Sequence, residues 1–363
     1  MAGGRSNSRR GWRNRFAALA LGGGVAAITL LAAVAVLEWD GLRDDLATAR
    51  DSATEWRDPN TEFDPELGWR PIADRRVELD WGEIRTNQYG YRSDPLRPGA
   101  TAVAVLGDSV AWGLGVQAAA TFAGRLDLAY RKRGWQVSNL AVSGYGLGQS
   151  YLWLRAQREA LPRLRHVILA ICADNDIDDT SANSRYGRRK PLYRMNDGQL
   201  ALEGVPIARH SLRHWYSDSR VARGLLGRLP AVERVVLARM GDRRLDRDEA
   251  YKVIRALLAE TRREVAARGG VLHAVLLPSV RDWETVTANY EFLRQAARAA
   301  ELPLLEPRTL LRLLEADTER IFIDATHLTP RGHEVVQFVI ERHLSIYEER
   351  MRSRSQTAII PSS

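Results

Sequence analysis

Val103-Ala-Val-Leu-Gly-Asp-Ser-Val-Ala-Trp-Gly-Leu-Gly115 decides the fold. Its first half is an apolar run of β-branched and small residues that stops abruptly on Gly107-Asp108-Ser109. A buried central strand of an α/β sheet presents a side chain at its carboxyl end in this way. A serine placed there lies at the edge of the sheet and is able to act as a nucleophile. The tripeptide alone also serves turns and helix caps, so its meaning depends on the residues downstream of it.

From Thr101 onward, strand and helix patterns alternate. The spacing predicts strands over 102–107, 136–142, 166–173, 271–277 and 303–306. It predicts helices over 121–133, 149–160, 250–268, 284–300 and 330–349. Apolar strands alternating with helices imply a parallel sheet covered on both faces. The rhythm breaks between about 180 and 248. There a hairpin is expected around Asn196-Asp197-Gly198, followed by a basic helical stretch over 211–240, an insertion suited to a lid or substrate wall. Before the alternating region, residues 62–100 read as short strands and turns packing as a small extension; a structural role dominates there, with Asn87 to Arg92 as the one stretch that could line a site.

Four features fall at the ends of predicted strands or just past the last one. They are Ser109, then Ser143-Gly144-Tyr145-Gly146, then Asp174-Asn175-Asp176, then Asp324-Ala-Thr-His327. A serine hydroxyl is a poor nucleophile until a base takes its proton. His327 is such a base, and Asp324 three residues earlier is placed to hold the imidazole in the correct tautomer. Attack on an ester makes an oxyanion that needs fixed donors. The N–H groups of Ser109 and Gly144 and the side-chain amide of Asn175 are expected to supply them.

Jointly these blocks resemble the SGNH hydrolases of the GDSL esterase superfamily. The likeness covers about residues 101–348, with Ser109, Gly144, Asn175, Asp324 and His327 in the family's order. It implies a flavodoxin-like three-layer α/β/α fold and no metal or organic cofactor. It also implies acyl ester hydrolysis or acyl transfer through an acyl-serine. One departure is Ala173, which stands where the family's third block carries glycine.

Plainer uses compete for the neighbouring residues. Asp108 suits a helix cap, and Asp176 a loop acceptor. His333 suits packing on the last helix. His210 and His214 have the i, i+4 spacing of a metal pair but no third ligand in sequence, which favours a surface pair. Gly144 to Gly148 lacks both phosphate-loop and dinucleotide spacings. Trp112, Tyr145, Tyr151 and Trp153 suit either a sugar-binding cleft or the core. Cys172, the only cysteine, excludes an intramolecular disulfide and reads as a small buried hydrophobe.

The chain has 363 residues and a formal net charge of +8. Arg5, Arg9, Arg10, Arg13 and Arg15 carry much of that excess, so the basicity does not point to nucleic acid. After this basic tail (1–15), Phe16 to Leu37 is apolar and uncharged, long enough to cross a bilayer core. Arginines on its amino side predict a cytoplasmic start and a catalytic domain beyond the membrane. A cleaved signal peptide ending near Ala33-Val34-Ala35 is the competing reading. A charged linker (38–61) follows, and a polar tail (349–363) is expected to be disordered. The expectation is a membrane-anchored serine esterase acting on an acylated envelope glycan, lipid or small ester. An O-acyltransferase and a non-catalytic glycan-binding protein are the alternatives.

Overall fold

The computed structural model describes residues 59–186, 188–207, 228, 242–315 and 317–357. The basic tail, the apolar segment 16–37, most of the 38–61 linker, the basic stretch 211–240 apart from residue 228, with His214, and His210 lie outside the described residues. Among the described residues, no helix is long and apolar enough to cross a membrane.

Four short strands come first: β1 (Thr61–Asp64), β2 (Gly68–Pro71), β3 (Arg76–Leu79) and β4 (Gly82–Arg85). Then β5 (Thr101–Leu106) leads into α1 (Ser109–Trp112) and α2 (Phe122–Tyr130). Next are β6 (Trp135–Asn139), α3 (Leu147–Ala156), β7 (Leu164–Cys172) and α4 (Asp176–Ser181). Two hairpins come next, β8 (Ser184–Arg185) with β9 (Arg188–Arg189), and β10 (Leu192–Asn196) with β11 (Gln199–Glu203). The chain then runs through α5 (Arg247–Ala267), β12 (Val271–Leu277), α6 (Ala288–Ala299), β13 (Leu304–Leu305), α7 (Arg308–Leu314) and α8 (Pro330–Thr357).

The large sheet has the order β13-β12-β7-β5-β6, and every pairing in it is parallel. In chain order of its own strands this is 2-1-3-4-5, the flavodoxin-like arrangement. The order reverses between β5 and β7, so a crevice opens beyond their carboxyl ends at that switch point. Period-two alternation sends the strand side chains to two separate cores. Ala104 and Leu106 of β5, Leu169 and Ile171 of β7, and Leu276 of β12 face one core with α3, α5 and α6. Val103, Val105, Ile168, Cys172 and Leu277 face the other, with α1, α2 and α8. The fold is therefore three layers, helices on both faces of a parallel sheet.

The sheet strands and major helices lie where the sequence spacing places them, within a few residues. The expected hairpin forms between β10 and β11, and Asp197 and Gly198 both take positive φ, as a tight two-residue turn of this hand requires. Residues of the segment 62–100 pack against the main domain, and Leu67, Trp69 and Tyr91 enter its core. The tail expectation is corrected, because α8 continues to Thr357. Glu349 to Thr357 contains neither glycine nor proline, and its arginines complement the negative end of the helix.

A buried histidine relay pins α8 to the amino-terminal half of the sheet, and no sequence pattern signals it. His166 Nε2 meets Glu348 Oε1 at 3.0 Å, His166 Nδ1 meets His273 Nε2 at 2.9 Å, and His273 Nδ1 meets His343 Nε2 at 3.0 Å. One order of protons satisfies all three contacts with neutral rings, each Nε2–H donating toward Glu348's end of the chain. The Tyr347 ring stands edge-on to His166 and His273. Burial pulls His166 down to about 4 against the opposing pull of the Glu348 carboxylate, and burial also lowers His273 and His343.

Candidate active site

The strand β5 ends on Gly107, whose φ of +149 is open to few residues but glycine. A Cβ there would lie 2.7 Å from Ala111 Cβ and 2.9 Å from Ala170 O. Asp108 is the N-cap of α1, with Oδ1 accepting from Val110 N at 2.9 Å. The turn so formed sets Ser109 at the mouth of the crevice between β5 and β7.

Arg92 grips this turn from below. Its Nη1 donates to Trp112 O and Gly113 O, both at 2.7 Å, and Nη2 donates to Val116 O at 2.5 Å. The guanidinium lies 4.2 Å from the Trp112 ring centroid. Arg92 is buried and donates to all three carbonyls; Gly113 O also accepts from Val116 N at 3.2 Å and Trp112 O from Asn139 Nδ2 at 3.4 Å, which leaves Val116 O dependent on the guanidinium. Orphaning each buried acceptor costs about 1–3 kcal/mol. Arg92→Ala orphans Val116 O and removes the stack on Trp112, so it is expected to lower unfolding free energy by about 1–3 kcal/mol, read by urea denaturation. An unchanged midpoint would show that the guanidinium holds nothing.

An isolated antiparallel bridge between Phe322 and Leu328 closes a loop that presents Asp324 and His327. Asp324 Oδ1 accepts from Thr326 N at 2.8 Å and His327 N at 2.9 Å, while Oδ2 meets His327 Nδ1 at 2.7 Å. On the other side of the ring, His327 Nε2 meets Ser109 Oγ at 2.8 Å. Burial works to raise the Asp324 carboxyl, but the backbone N–H groups of His327 and Thr326, with the imidazole, outweigh it and hold the group below the usual carboxylate range. The Asp324 side chain is 52% exposed and that of His327 16%.

Gly144 sits on the loop after β6. Val142 N donates to Gly107 O at 3.1 Å, which ties this loop to the serine turn. Gly144 has φ +76, and a Cβ there would lie 2.7 Å from Tyr186 Cε2. Among the described residues, neither Ser109 N–H nor Gly144 N–H has a protein acceptor. They remain available to an oxyanion.

Asn175 departs from expectation. Its Nδ2 donates one proton to Asp108 Oδ2 and the other to Asp179 Oδ2, each at 2.8 Å. Both amide protons are thus engaged, and none is left to point at the ester position. Both acceptors are buried carboxylates, which need donors strongly. Beneath them, Asp176 accepts from Cys172 N at 2.7 Å as a loop acceptor, and burial beside Asp108 and Asp179 pushes its carboxyl well up. Burial lowers Lys190 to about 8 against the pull of Asp179.

The remaining expectations resolve simply. His333 packs on Phe122, accepts from Phe122 N at 3.3 Å, and is driven by burial to about 3. Trp112, Tyr145 and Trp153 are buried in the core, and Tyr151 is half-buried against Tyr193, so they form no cleft. Cys172 is buried and unpaired. Among the described residues, no cluster of metal-ligating side chains occurs. Sequence reasoning reaches Arg92 only within the Asn87–Arg92 stretch, as lining a site, and the structure makes it a buried clamp on the serine turn instead; it missed Tyr186, Lys190 and Asp179. Only Asp179 left a signal, four residues past Asn175 on the start of a helix.

No protein-family model matches the chain, and no curated protein matches it. Several solved structures are similar. One is the psychrotrophic esterase EstA from Pseudoalteromonas sp., 10% identical over 69% of this chain and 99% of that one, with a TM-score of 0.39. Another is a member of the lipolytic protein G-D-S-L family from Veillonella parvula, 15% identical over 67% and 97%, with a TM-score of 0.39. A third is a two-domain esterase active on acetylated mannans, 11% identical over 68% and 49%, with a TM-score of 0.38.

Proposed function

We propose that this protein is a serine esterase that cleaves acyl esters through an acyl-Ser109 intermediate. The observation that carries the reading is the continuous contact Ser109 Oγ to His327 Nε2 to Asp324, at 2.8 and 2.7 Å. His327 takes the hydroxyl proton as Oγ attacks the carbonyl carbon. The N–H groups of Ser109 and Gly144 receive the oxyanion. Collapse expels the alcohol, which leaves with the proton from His327. Water then attacks the acyl-serine, again losing its proton to His327, and releases the acid and the serine hydroxyl.

The substrate class is a small acyl group, such as acetyl, on a cell-envelope glycan or lipid. The close approach of Tyr186 to Gly144 supports a small acyl group. The apolar segment 16–37 and the arginines before it support a membrane tether, with the catalytic domain on the far side of the cytoplasmic membrane. The test is covalent capture. A reactive alkylphosphonate ester should add one phosphonyl group to Ser109, located by peptide mass, and should abolish hydrolysis of p-nitrophenyl acetate. Absence of both labelling and hydrolysis would sink the reading.

A further inference from the structure

We infer that Asp179 is a positioning residue for the ester chemistry proposed above, acting on Ser109 through Asn175. The carboxylates of Asp108 and Asp179 are both buried and would repel each other. The Asn175 amide lies between them, and its two protons are the feature that lets like charges share the space. Asp108 is the same carboxylate whose other oxygen caps α1 at Val110 N. The link therefore runs from Asp179 through the amide and the cap to the turn that carries the nucleophile.

Asp179 is itself held at three points. Its Oδ1 lies 2.8 Å from Arg185 Nε in an ion pair whose N–H is not aligned on the oxygen. Its backbone carbonyl accepts from the buried Lys190 ammonium. Its backbone lies against Gly146, where a Cβ would come within 2.7 Å of it, and the neighbouring Thr180 Oγ1 accepts from Leu147 N at 3.0 Å. Arg185 also stacks over the Tyr186 ring at 4.5 Å, and that ring packs on Gly144. Asp179 thus joins the serine turn on one side to the Gly144 donor on the other. Tyr186 holds φ +49, a conformation that costs a non-glycine residue energy and persists where its surroundings fix it.

Asn175 in this arrangement is a rivet, and the charge on Asp179 sets its orientation. A charge-assisted hydrogen bond is roughly twice as strong as a neutral one, so the carboxylate matters beyond its shape. Losing it lets the amide turn and loosens the cap of Asp108. Such loosening touches the transition state more than substrate binding.

The experiment is a double-mutant cycle on kcat and KM for p-nitrophenyl acetate, with the full chain, at a temperature where circular dichroism shows each variant folded. Asp179→Ala should lower kcat about 10–100-fold with KM changed less than about twofold. Asp179→Asn, which keeps an acceptor oxygen but not the charge, should recover only part of that loss and remain clearly below the wild type. In an Asn175→Ala background, either substitution at 179 should change kcat by less than about twofold, because the residue it acts through is gone. If Asp179→Ala does not fold, the Asp179→Asn arm of the cycle carries the comparison. Multiplicative losses across the cycle, or losses that appear in KM, would overturn the positioning role while leaving the esterase reading intact. A wild-type rate no faster than that of Ser109→Ala would overturn both.

Discussion

Ser109→Ala is expected to lower kcat for ester hydrolysis by about 10⁴–10⁶-fold, and His327→Ala to do nearly the same. The reason is the shared proton path. Without Oγ there is no acyl acceptor; without Nε2 the hydroxyl has no base 2.8 Å away and stays an alcohol. Removing both should cost little more than removing one, because the two act as a unit. Asp324→Ala should cost less than either. The Asp324 carboxylate does not touch the reacting atoms, and it holds the imidazole at 2.7 Å and the loop through two backbone N–H groups. KM should change little in all of these variants. The measurement is kcat on p-nitrophenyl acetate for the wild type, the singles and the double. A Ser109→Ala variant retaining a tenth of the wild-type rate would show that the nucleophile lies elsewhere.

The turn that carries Ser109 was legible because its determinants are local. Gly107 is needed for backbone reasons, Asp108 caps the next residues, and the unbroken apolar run Val103 to Leu106 identifies a strand with both faces buried. Asp324 and His327 were legible for a similar reason, since a separation of three residues lets one loop bring both side chains together. What escaped depends on pairings set by tertiary structure. Arg92 reaches carbonyls 20 to 24 residues away, and no pattern in its own segment announces this. Asn175 is in the expected loop, but its partners were not legible, because they depend on how the fold buries Asp108 and Asp179 on either side of it. The histidine relay joins residues 107 and 70 positions apart, each unremarkable in its own strand or helix.

That relay makes acid the second large lever on this protein. Burial lowers His166 to about 4, lowers His273 further, and lowers His333 to about 3. All three are neutral in the fold and take up protons once unfolded, where histidine titrates near about 6.5. Between about 6.5 and 4 the unfolded chain therefore binds more protons than the native one, and stability falls as pH falls. Each buried histidine contributes up to about 1.4 kcal/mol per pH unit across that window, while total stability of a domain is only about 5–15 kcal/mol. Glu348 works in the same direction: burial raises it, but Arg165 and His166 outweigh that and lower it, so its contribution is present above the ordinary carboxylate range and lost as pH falls through its folded value. Arg350, on the same helix, adds to the lowering of His343. The melting temperature should hold nearly level from pH 8 to 7 and drop steeply from pH 6.5 to 5. His273→Leu tests the cause. It strands His166 Nδ1 and His343 Nε2, so it should melt earlier at pH 7.5. It also removes one buried proton acceptor and weakens the hold on two others, so its drop between pH 6.5 and 5 should be shallower than the wild type's. Parallel curves for the two proteins would mean that the relay is a packing contact, with the acid sensitivity arising at His333 or elsewhere.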